Sequence, residues 1–340
     1  MAKYKDIGGT TVGFRSGSEE YTYPSGFEGS IYYNSSNGQF EFVGAGGGAW
    51  SSGGNLNTAR YLTSGDGPLT TNLVFGGYTS DETAVTETYN GTSWTETGDL
   101  NSARRTCGAV GNSSACLGVG GNPGDNSPTG YNTANVESFN GSSWTEIANI
   151  NTARQSGKAV GTTTAAIFYG GYTTGDVANN ESWDGSSWTE IGDLNVSRAS
   201  CSGAGTSTAA IAMSGGPNAN IGTEAFDTES WNGSSWTALP ASSNINIKGE
   251  GAHSCGTQTA ALLYGGYDYS PPAGNTARTE SWNGSTWAEL ADLSTARNTG
   301  GDGGTSSIAI LAGGSTPPGS GVNTTEEWSL DHTLKTVTTS

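Results

Sequence analysis

The chain has 340 residues, of which 33% are hydrophobic, and its formal net charge is −18. A chain this acidic repels phosphate backbones and anionic lipid, so we expect neither nucleic acid nor a membrane surface as its partner. No apolar stretch approaches the ~20 residues of a membrane span, and the start, MAKYKDIGGTTVGF, lacks the apolar core of a secretory signal.

The first 49 residues differ from the rest of the chain and form a separate predicted segment. Residues 1–26 are polar and predict an arm or linker. Residues 30–43 predict a β-hairpin, in which SIYY and QFEFV flank Asn37-Gly38. We therefore expect 1–49 to be an arm and hairpin that serves attachment or ring closure, and 50–340 to be a second domain.

A repeat begins at Trp50, because WSSGGNLNTAR aligns with WTETGDLNSAR at Trp94. Each unit carries an N-T-A-R motif or a relative of it, then Gly-Gly, then E-S-W-N-G-S-S-W-T. The first arginines, Arg60, Arg104, Arg154 and Arg198, are 44, 50 and 44 residues apart. The fifth unit has Lys248 near the expected position of the arginine, and a degenerate sixth unit contains Trp328.

Each unit predicts four strands, called A to D in chain order. Ser156 to Val160 exemplifies strand A, and Ala165 to Tyr169 exemplifies strand B, which ends at Gly-Gly. Strand C carries E-S-W, and strand D begins at the second Trp. The Asn-Gly or Asp-Gly between strands C and D is typical of a type I′ turn, which requires positive φ at both central residues.

Six units of four antiparallel strands predict an all-β protein, a six-bladed β-propeller over 50–340. The Trp50 strand could complete the last blade and close the ring. Leu334 to Thr338 is a second candidate for the same position, so seven blades with a composite terminal blade is the alternative.

This repeat resembles the kelch motif, in which Gly-Gly follows strand B, an aromatic lies on strand C and a Trp follows about five residues later. The dialect N-G-S-S-W-T-E with N-T-A-R, the segment Glu28 to Asn34 and the ending KTVTTS resemble kelch-type virion proteins of marine cyanophages. The resemblance implies a tail-fibre or other structural protein of the virion, made in the host cytoplasm without a signal peptide.

Two columns of charge recur with the units, and we expect them to pair as a buried ring that sets blade register. An arginine-lined mouth that captures an anion is the other interpretation. Glu280 lacks a repeat arginine and is expected to be the most loosely held. The columns are Arg60, Arg104, Arg154, Arg198 and Arg297, and Glu87, Glu137, Glu181, Glu229, Glu280 and Glu326.

The recurring aromatics of strands C and D, such as Trp183 and Trp188, predict packing between blades rather than a sugar-stacking platform. The B–C loops differ between units, and variable loops on a rigid scaffold commonly carry binding. They combine aromatics with amides and carboxylates, a mixture that suits carbohydrate. The candidate ligand-binding residues are Tyr131, Tyr172, Phe226, Tyr267 and Tyr269.

Catalytic patterns are sparse. The copper oxidases that share the kelch architecture need two His and a Tyr–Cys crosslink; His253 and Cys255 lie together, but no matching Tyr is apparent. No P-loop, G-x-S-x-G or zinc spacing occurs, so we expect no enzyme, no cofactor and no metal site. The four cysteines predict buried thiols rather than disulfides.

We therefore expect a phage virion protein whose propeller recognises a host cell-surface glycan or protein receptor. Other virion proteins would bind its N-terminal region, and a homo-oligomer is left open. A decoration or assembly module without receptor binding is the first alternative. An enzyme acting on surface polysaccharide is the second, since a fold alone does not define an activity.

Overall fold

A computed structural model shows an all-β chain that divides into two compact units. It describes residues 13–15, 31–34, 39–45, 47–124, 131–215, 228–239, 251–268, 273–317, 319–330 and 332–336. One unit spans Trp50–Trp328, and the other combines Met1–Ala49 with Ser329–Ser340. The described part contains a single short 3₁₀ helix, Leu69–Thr71, and no helix long and apolar enough to cross a membrane.

The larger unit consists of six four-stranded antiparallel blades, as expected for a six-bladed propeller. The A strands are Ser64–Asp66, Gly108–Asn112, Lys158–Thr162, Ser202–Gly205, His253–Thr257 and Gly301–Gly304. The B strands are Leu73–Phe75, Ala115–Val119, Ala165–Tyr169, Ala210–Met213, Ala260–Tyr264 and Ile308–Ala312.

The C and D strands contain the repeated aromatic motif. The C strands are Thr86–Tyr89, Val136–Phe139, Asn180–Trp183, Glu229–Trp231, Thr279–Trp282 and Thr325–Ser329. The D strands of blades 1 to 5 are Trp94–Glu96, Trp144–Ile147, Trp188–Glu190, Trp236–Ala238 and Trp287–Glu289. The D strand of blade 6 is Ala49–Ser52, from the other end of the repeat array.

Of the two strands predicted as candidates for the outermost position of blade 6, the Trp50 strand occupies it. The Trp50 indole donates to the Thr279 hydroxyl at 2.9 Å, and its ring lies 5.6 Å from Trp328. The prediction that Leu334 to Thr338 could fill this position is wrong. The C-terminal strand, His332–Thr336, instead pairs antiparallel with Gln39–Ala45.

The smaller unit is a sheet made from both ends of the chain. The predicted hairpin is present as Ile31–Asn34 and Gln39–Ala45. The predicted polar arm also contains a short strand, Gly13–Arg15, which pairs parallel with Ile31–Asn34. Pairing of His332–Thr336 with the hairpin joins the two chain ends, which sequence periodicity could not show because the partners are almost 300 residues apart.

Two local predictions need correction. Strand A of blade 3 begins at Lys158 rather than Ser156, because Ser156 has a φ of 58° and cannot continue an extended strand. The C–D connection is not a two-residue type I′ turn. In blade 1, Tyr89 pairs with Trp94, so four residues form the loop, and Gly91 has a φ of 90° while the Asn90 side chain accepts bonds from two backbone N–H groups.

The core lies between neighbouring blades, as the aromatic columns predict. Trp183 and Trp188 pack 5.4 Å apart in a cluster that also contains Val110 and Val136 of the preceding blade. Equivalent clusters lie between blades 1 and 2, 3 and 4, 4 and 5, and 6 and 1. The four cysteines are buried and free, as expected.

Candidate functional site: the axial cavity and its loop face

A circuit of backbone hydrogen bonds runs from blade to blade at the start of the A strands. The second residue after each repeat arginine adopts a left-handed conformation, and Gly251 does so in blade 5. These residues are Leu62, Thr106, Ser156, Ser200, Gly251 and Thr299. In blades 2 to 6, the N–H of this residue donates to the carbonyl of its counterpart in the preceding blade, as from Thr106 to Leu62 at 3.0 Å and from Ser156 to Thr106 at 2.9 Å. Thr63 completes the circle by donating to Thr299 at 3.2 Å. Non-glycine residues tolerate this conformation where the surroundings enforce it, and here it forms the rim of the central opening.

Five buried arginine–glutamate pairs lie next to this circuit. In blade 3, the Arg154 guanidinium contacts the Glu181 carboxylate and donates to the carbonyls of Gly170 and Phe168 at 3.0 and 2.8 Å. The other pairs are Arg60 with Glu87 at 3.1 Å, Arg104 with Glu137 at 2.9 Å, Arg198 with Glu229 at 2.8 Å and Arg297 with Glu326 at 3.0 Å.

The asparagine of N-T-A-R belongs to the same network, although it is not among the residues predicted from the sequence. Asn151 donates its backbone N–H and its side-chain amide to Glu181 Oε2, and it also donates to the Trp188 carbonyl at 3.1 Å. Asn57, Asn101 and Asn195 make the same contacts in their blades. Recurrence of this Asn three residues before Arg was the signal available in the sequence.

This burial argues against the arginines as an anion-capturing mouth. Each of the five is fully buried and faces a carboxylate and backbone carbonyls. Burial lowers the pKa of Arg60 to about 10 despite the neighbouring carboxylates, and it also lowers the pKa of Arg154 and Arg297. An anion could reach these groups only by displacing their own glutamates.

The fifth unit differs from the others because it has no repeat arginine to pair with Glu280. Glu280 is fully buried, whereas Lys248, its expected partner, lies outside the described residues. Arg278, which lies two residues before Glu280, pairs with Asp268 at 3.4 Å. That Glu280 is the most loosely held glutamate therefore remains a prediction.

The A strands enclose a cavity of about 490 Å³ on the propeller axis. It opens among the left-handed rim residues, on the side where the B–C loops begin, and Tyr267 and Asn298 also line it. A smaller cavity of about 170 Å³ lies further along the A strands, towards the A–B turns. Lys158 and Ala109 line both cavities, so Lys158 marks the boundary between them.

Three charged side chains meet near this boundary. Lys158 Nζ lies 3.3 Å from Asp302 Oδ2, and the Ser254 N–H donates to the same oxygen at 2.8 Å. Asp66 lines the smaller cavity and accepts from the Gly111 and Gly67 N–H groups. Burial raises the pKa of Asp66 to about 6. Burial by itself would lower the pKa of Lys158, but the neighbouring carboxylates of Asp302 and Asp66 outweigh it and raise that pKa.

His253 supplies a neutral ring to the same wall. It is 3% exposed, and its Nε2 accepts from the Gly300 N–H at 3.3 Å. Burial lowers the pKa of His253 to about 4, so the imidazole is uncharged at neutral pH. With Nε2 acting as an acceptor, the ring proton is on Nδ1.

Lys158 and Asp302 are not among the site residues predicted from the sequence. When the units are aligned on their arginines, the position of Lys158 holds Ser64, Gly108, Ser202, His253 or Gly301. Asp302 similarly stands in a column of Gly, Ala and Ser. A charge that interrupts a column of small residues was therefore the available signal.

The predicted loop aromatics do not form one cluster. Tyr131 is 58% exposed, and Tyr172 is half-buried, with its hydroxyl donating to the Thr174 carbonyl. Tyr267 is half-buried and is the one candidate that lines the axial cavity among those described. Phe226 and Tyr269 lie outside the described residues.

The search for a tyrosine beside Cys255 also needs correction. Tyr264 stands opposite His253 in the A–B ladder of the same blade as Cys255. Its hydroxyl donates to the Ile310 carbonyl at 3.1 Å, and the Cys255 thiol donates to the Thr305 carbonyl at 3.2 Å. Burial raises the pKa of both side chains, which disfavours the anionic forms that bind metals. No cluster of three or more His, Cys, Asp or Glu side chains suited to a metal occurs in the described part of the chain.

The closed circuit of six blades around a polar axial cavity defines the class of this protein as a six-bladed β-propeller. No family model matches the sequence, and no curated protein matches it closely enough to indicate a relationship. Among solved structures, the chain is similar to that of YjhT, with a TM-score of 0.66 and 13% identity over 84% of this chain and 99% of that one. At this identity, the similarity shows the fold alone.

Proposed function

We propose that this chain is a structural or fibre protein of a phage virion, and that its propeller binds a host cell-surface glycan without chemically changing it. The observation that carries the binding role is the axial cavity, which lies on the side of the variable loops. Its volume of about 490 Å³ falls within the usual range of ligand sites. Its wall combines hydroxyls, an amide and Tyr267, the groups that suit a sugar.

The virion assignment is supported by the repeat dialect and its resemblance to kelch-type virion proteins of marine cyanophages. The division of the chain into two compact units would allow attachment and display to be carried out by different parts of the protein. The unit made of Met1–Ala49 and Ser329–Ser340 would hold the particle, and the propeller would be displayed. The net charge of −18 disfavours nucleic acid and anionic lipid as alternative partners.

Glycan binding is tested with the purified full chain on an array of host envelope polysaccharides, followed by titration calorimetry. Tyr267→Ala is expected to weaken binding at least tenfold, because the ring lines the cavity. Tyr172→Ala is the matched control, since this half-buried tyrosine lies outside the cavity lining. Release of reducing sugar from the polysaccharide would contradict binding without turnover and support an enzyme.

The virion role is tested separately by mass spectrometry of purified particles. Presence of the chain in stoichiometric amount, together with glycan binding, is the expected result. Presence in the particle with no glycan binding would overturn receptor recognition and support a decoration module. Absence from particles would overturn the virion assignment.

A further inference from the structure

The axial cavity contains polar groups whose hydrogen-bonding capacity is only partly used. Asp302 is 8% exposed, and both of its contacts, from Lys158 and from the Ser254 N–H, reach Oδ2. Within the described part of the chain, Oδ1 has no donor. Asp302 lines the cavity, so this unpaired oxygen is suited to accept a hydrogen bond from a bound group.

Two donors on the same wall are also available. Lys158 Nζ has one contact, to Asp302, and an ammonium group has three N–H donors. The His253 ring accepts at Nε2 from Gly300, and its Nδ1–H has no acceptor among the described residues. The cavity thus offers an acceptor and two kinds of donor, and the rim adds the Ser156 and Ser200 hydroxyls.

The charge of this wall disfavours an anion. Lys158 is the sole cation lining the cavity among the described residues, and Asp302 already neutralises it. Asp66 adds a second carboxylate just beyond the boundary, and the repeat arginines are buried against their own glutamates. A carboxylated or sulfated sugar would therefore meet net negative potential in a site where water screens poorly.

We propose that the axial cavity binds an uncharged polyhydroxylated ligand, a neutral terminal sugar, through Asp302, Lys158 and His253, and that it rejects anionic sugars of the same shape. Sugar hydroxyls both donate and accept, so one ligand can satisfy Asp302 Oδ1, Lys158 Nζ and His253 Nδ1 together. This inference rests on the proposed glycan-binding function and names the site and the ligand class.

The test uses the full wild-type chain with methyl glucoside, galactoside and mannoside, each compared with its methyl hexuronide. Each pair differs only at C6, where a carboxylate replaces the hydroxymethyl group, so the comparison introduces a negative charge with little change of shape. At least one neutral glycoside is expected to bind at least tenfold more tightly than its uronide, as measured by calorimetry. A uronide that binds as tightly as its neutral partner would overturn the inference.

Asp302→Asn identifies the site, because it preserves shape while removing the charge that neutralises Lys158. Binding of the neutral glycoside is expected to weaken at least tenfold, and the preference against the uronide is expected to shrink. Glu96→Gln, which removes an exposed carboxylate from an outer strand, is the matched control and should change neither.

The outcomes separate this inference from the proposed function. Neutral-sugar binding that survives Asp302→Asn unchanged would overturn the axial site but leave glycan recognition standing. Absence of binding to every glycan, by the wild-type chain, would overturn both. If Asp302→Asn does not fold, NMR of the wild-type chain provides the second measurement. Intermolecular NOEs are expected between the bound sugar and the assigned ring protons of His253, and NOEs to other residues alone would overturn the axial site.

Discussion

At the scale of single residues, a threonine directly before the repeat glutamate accepts a hydrogen bond from the tryptophan of a neighbouring blade in three blades, those of Thr86, Thr279 and Thr325. Thr86 accepts from the Trp144 indole at 3.0 Å, and Thr325 accepts from Trp94 at 3.0 Å. Blade 2 has Val136 at this position, and the Trp188 indole N–H is buried without a partner. The repeat thus contains its own natural comparison.

Val136→Thr is expected to stabilise the protein by about 0.5–1.5 kcal/mol, because it supplies an acceptor to the Trp188 N–H in nearly the same volume. Thr86→Val should have the opposite effect, costing about 1–3 kcal/mol, since it leaves the Trp144 N–H unsatisfied. Urea unfolding of both variants checks the pair. Changes of the same sign would contradict the role of this hydrogen bond.

Two cavity residues are expected to give opposing dependences of stability on pH. The pKa of His253 is lowered from 6.5 to about 4, so the unfolded chain takes up the proton first and stability is lost as pH falls through this interval. The pKa of Asp66 is raised from 3.8 to about 6, so the folded chain takes up its proton first and stability is gained as pH falls from 6.

Relative to the wild type, Asp66→Asn should therefore become less stable as pH falls from 6.5 to 4. His253→Gln should become more stable over the same interval, by up to about 3 kcal/mol at about 1.4 kcal/mol per pKa unit. Denaturant unfolding at several pH values measures these differences, in which the other titrating groups cancel. Slopes of equal sign would show that burial does not shift these groups as described.

At the scale of the element, the arginine–glutamate network joins the strands of each blade. Arg154 lies just before strand A of blade 3. Its guanidinium contacts Glu181 on strand C and donates to the Phe168 carbonyl on strand B. Its guanidinium also lies 4.4 Å from the centre of the Phe168 ring. One side chain thereby sets the register of three strands, a role for which arginine's several donors are suited.

Arg154→Met is expected to cost about 3–5 kcal/mol of unfolding free energy, because it leaves the Glu181 carboxylate buried without its cation. Arg278→Met is the matched control: Arg278 pairs with Asp268 at 3.4 Å and its side chain is 41% exposed, so its loss should cost less than about 1 kcal/mol. Chemical denaturation distinguishes the two. Equal losses would mean that the buried network adds nothing beyond a surface pair.

At the scale of the whole molecule, one strand closes the ring. Ala49–Ser52 completes a blade whose other strands lie at the far end of the array, whereas Trp94 follows Tyr89 through a four-residue loop. Both tryptophans donate to a threonine of the neighbouring blade, Trp50 to Thr279 and Trp94 to Thr325. The two tryptophans therefore make similar contacts, but only the Trp94 strand is joined to its own blade by a short loop.

Trp50→Ala is expected to open the ring, while Trp94→Ala should loosen one blade. Each should cost about 3–5 kcal/mol as a large core truncation. Because only the Trp50 strand lacks a short connection to its blade, its release should speed hydrogen exchange throughout the rim circuit, at the amides of Thr106, Ser156 and Ser200. Equal exchange in the two variants would argue that closure does not depend on this strand.

The repeat itself determined much of this protein, since periodicity is a local property that sequence spacing reports directly. Six units, four strands in each, the inter-blade aromatics and the columns that contain Arg154 and Glu181 all follow from residues that recur at fixed intervals. The cavity residues Lys158 and Asp302 do not recur. They come together from blades 3 and 6 only because the ring closes, and the Trp50 strand prevailed over Leu334 to Thr338 for the same reason. Contacts between distant, unrepeated segments depend on three-dimensional closure, so only the tertiary structure could decide them.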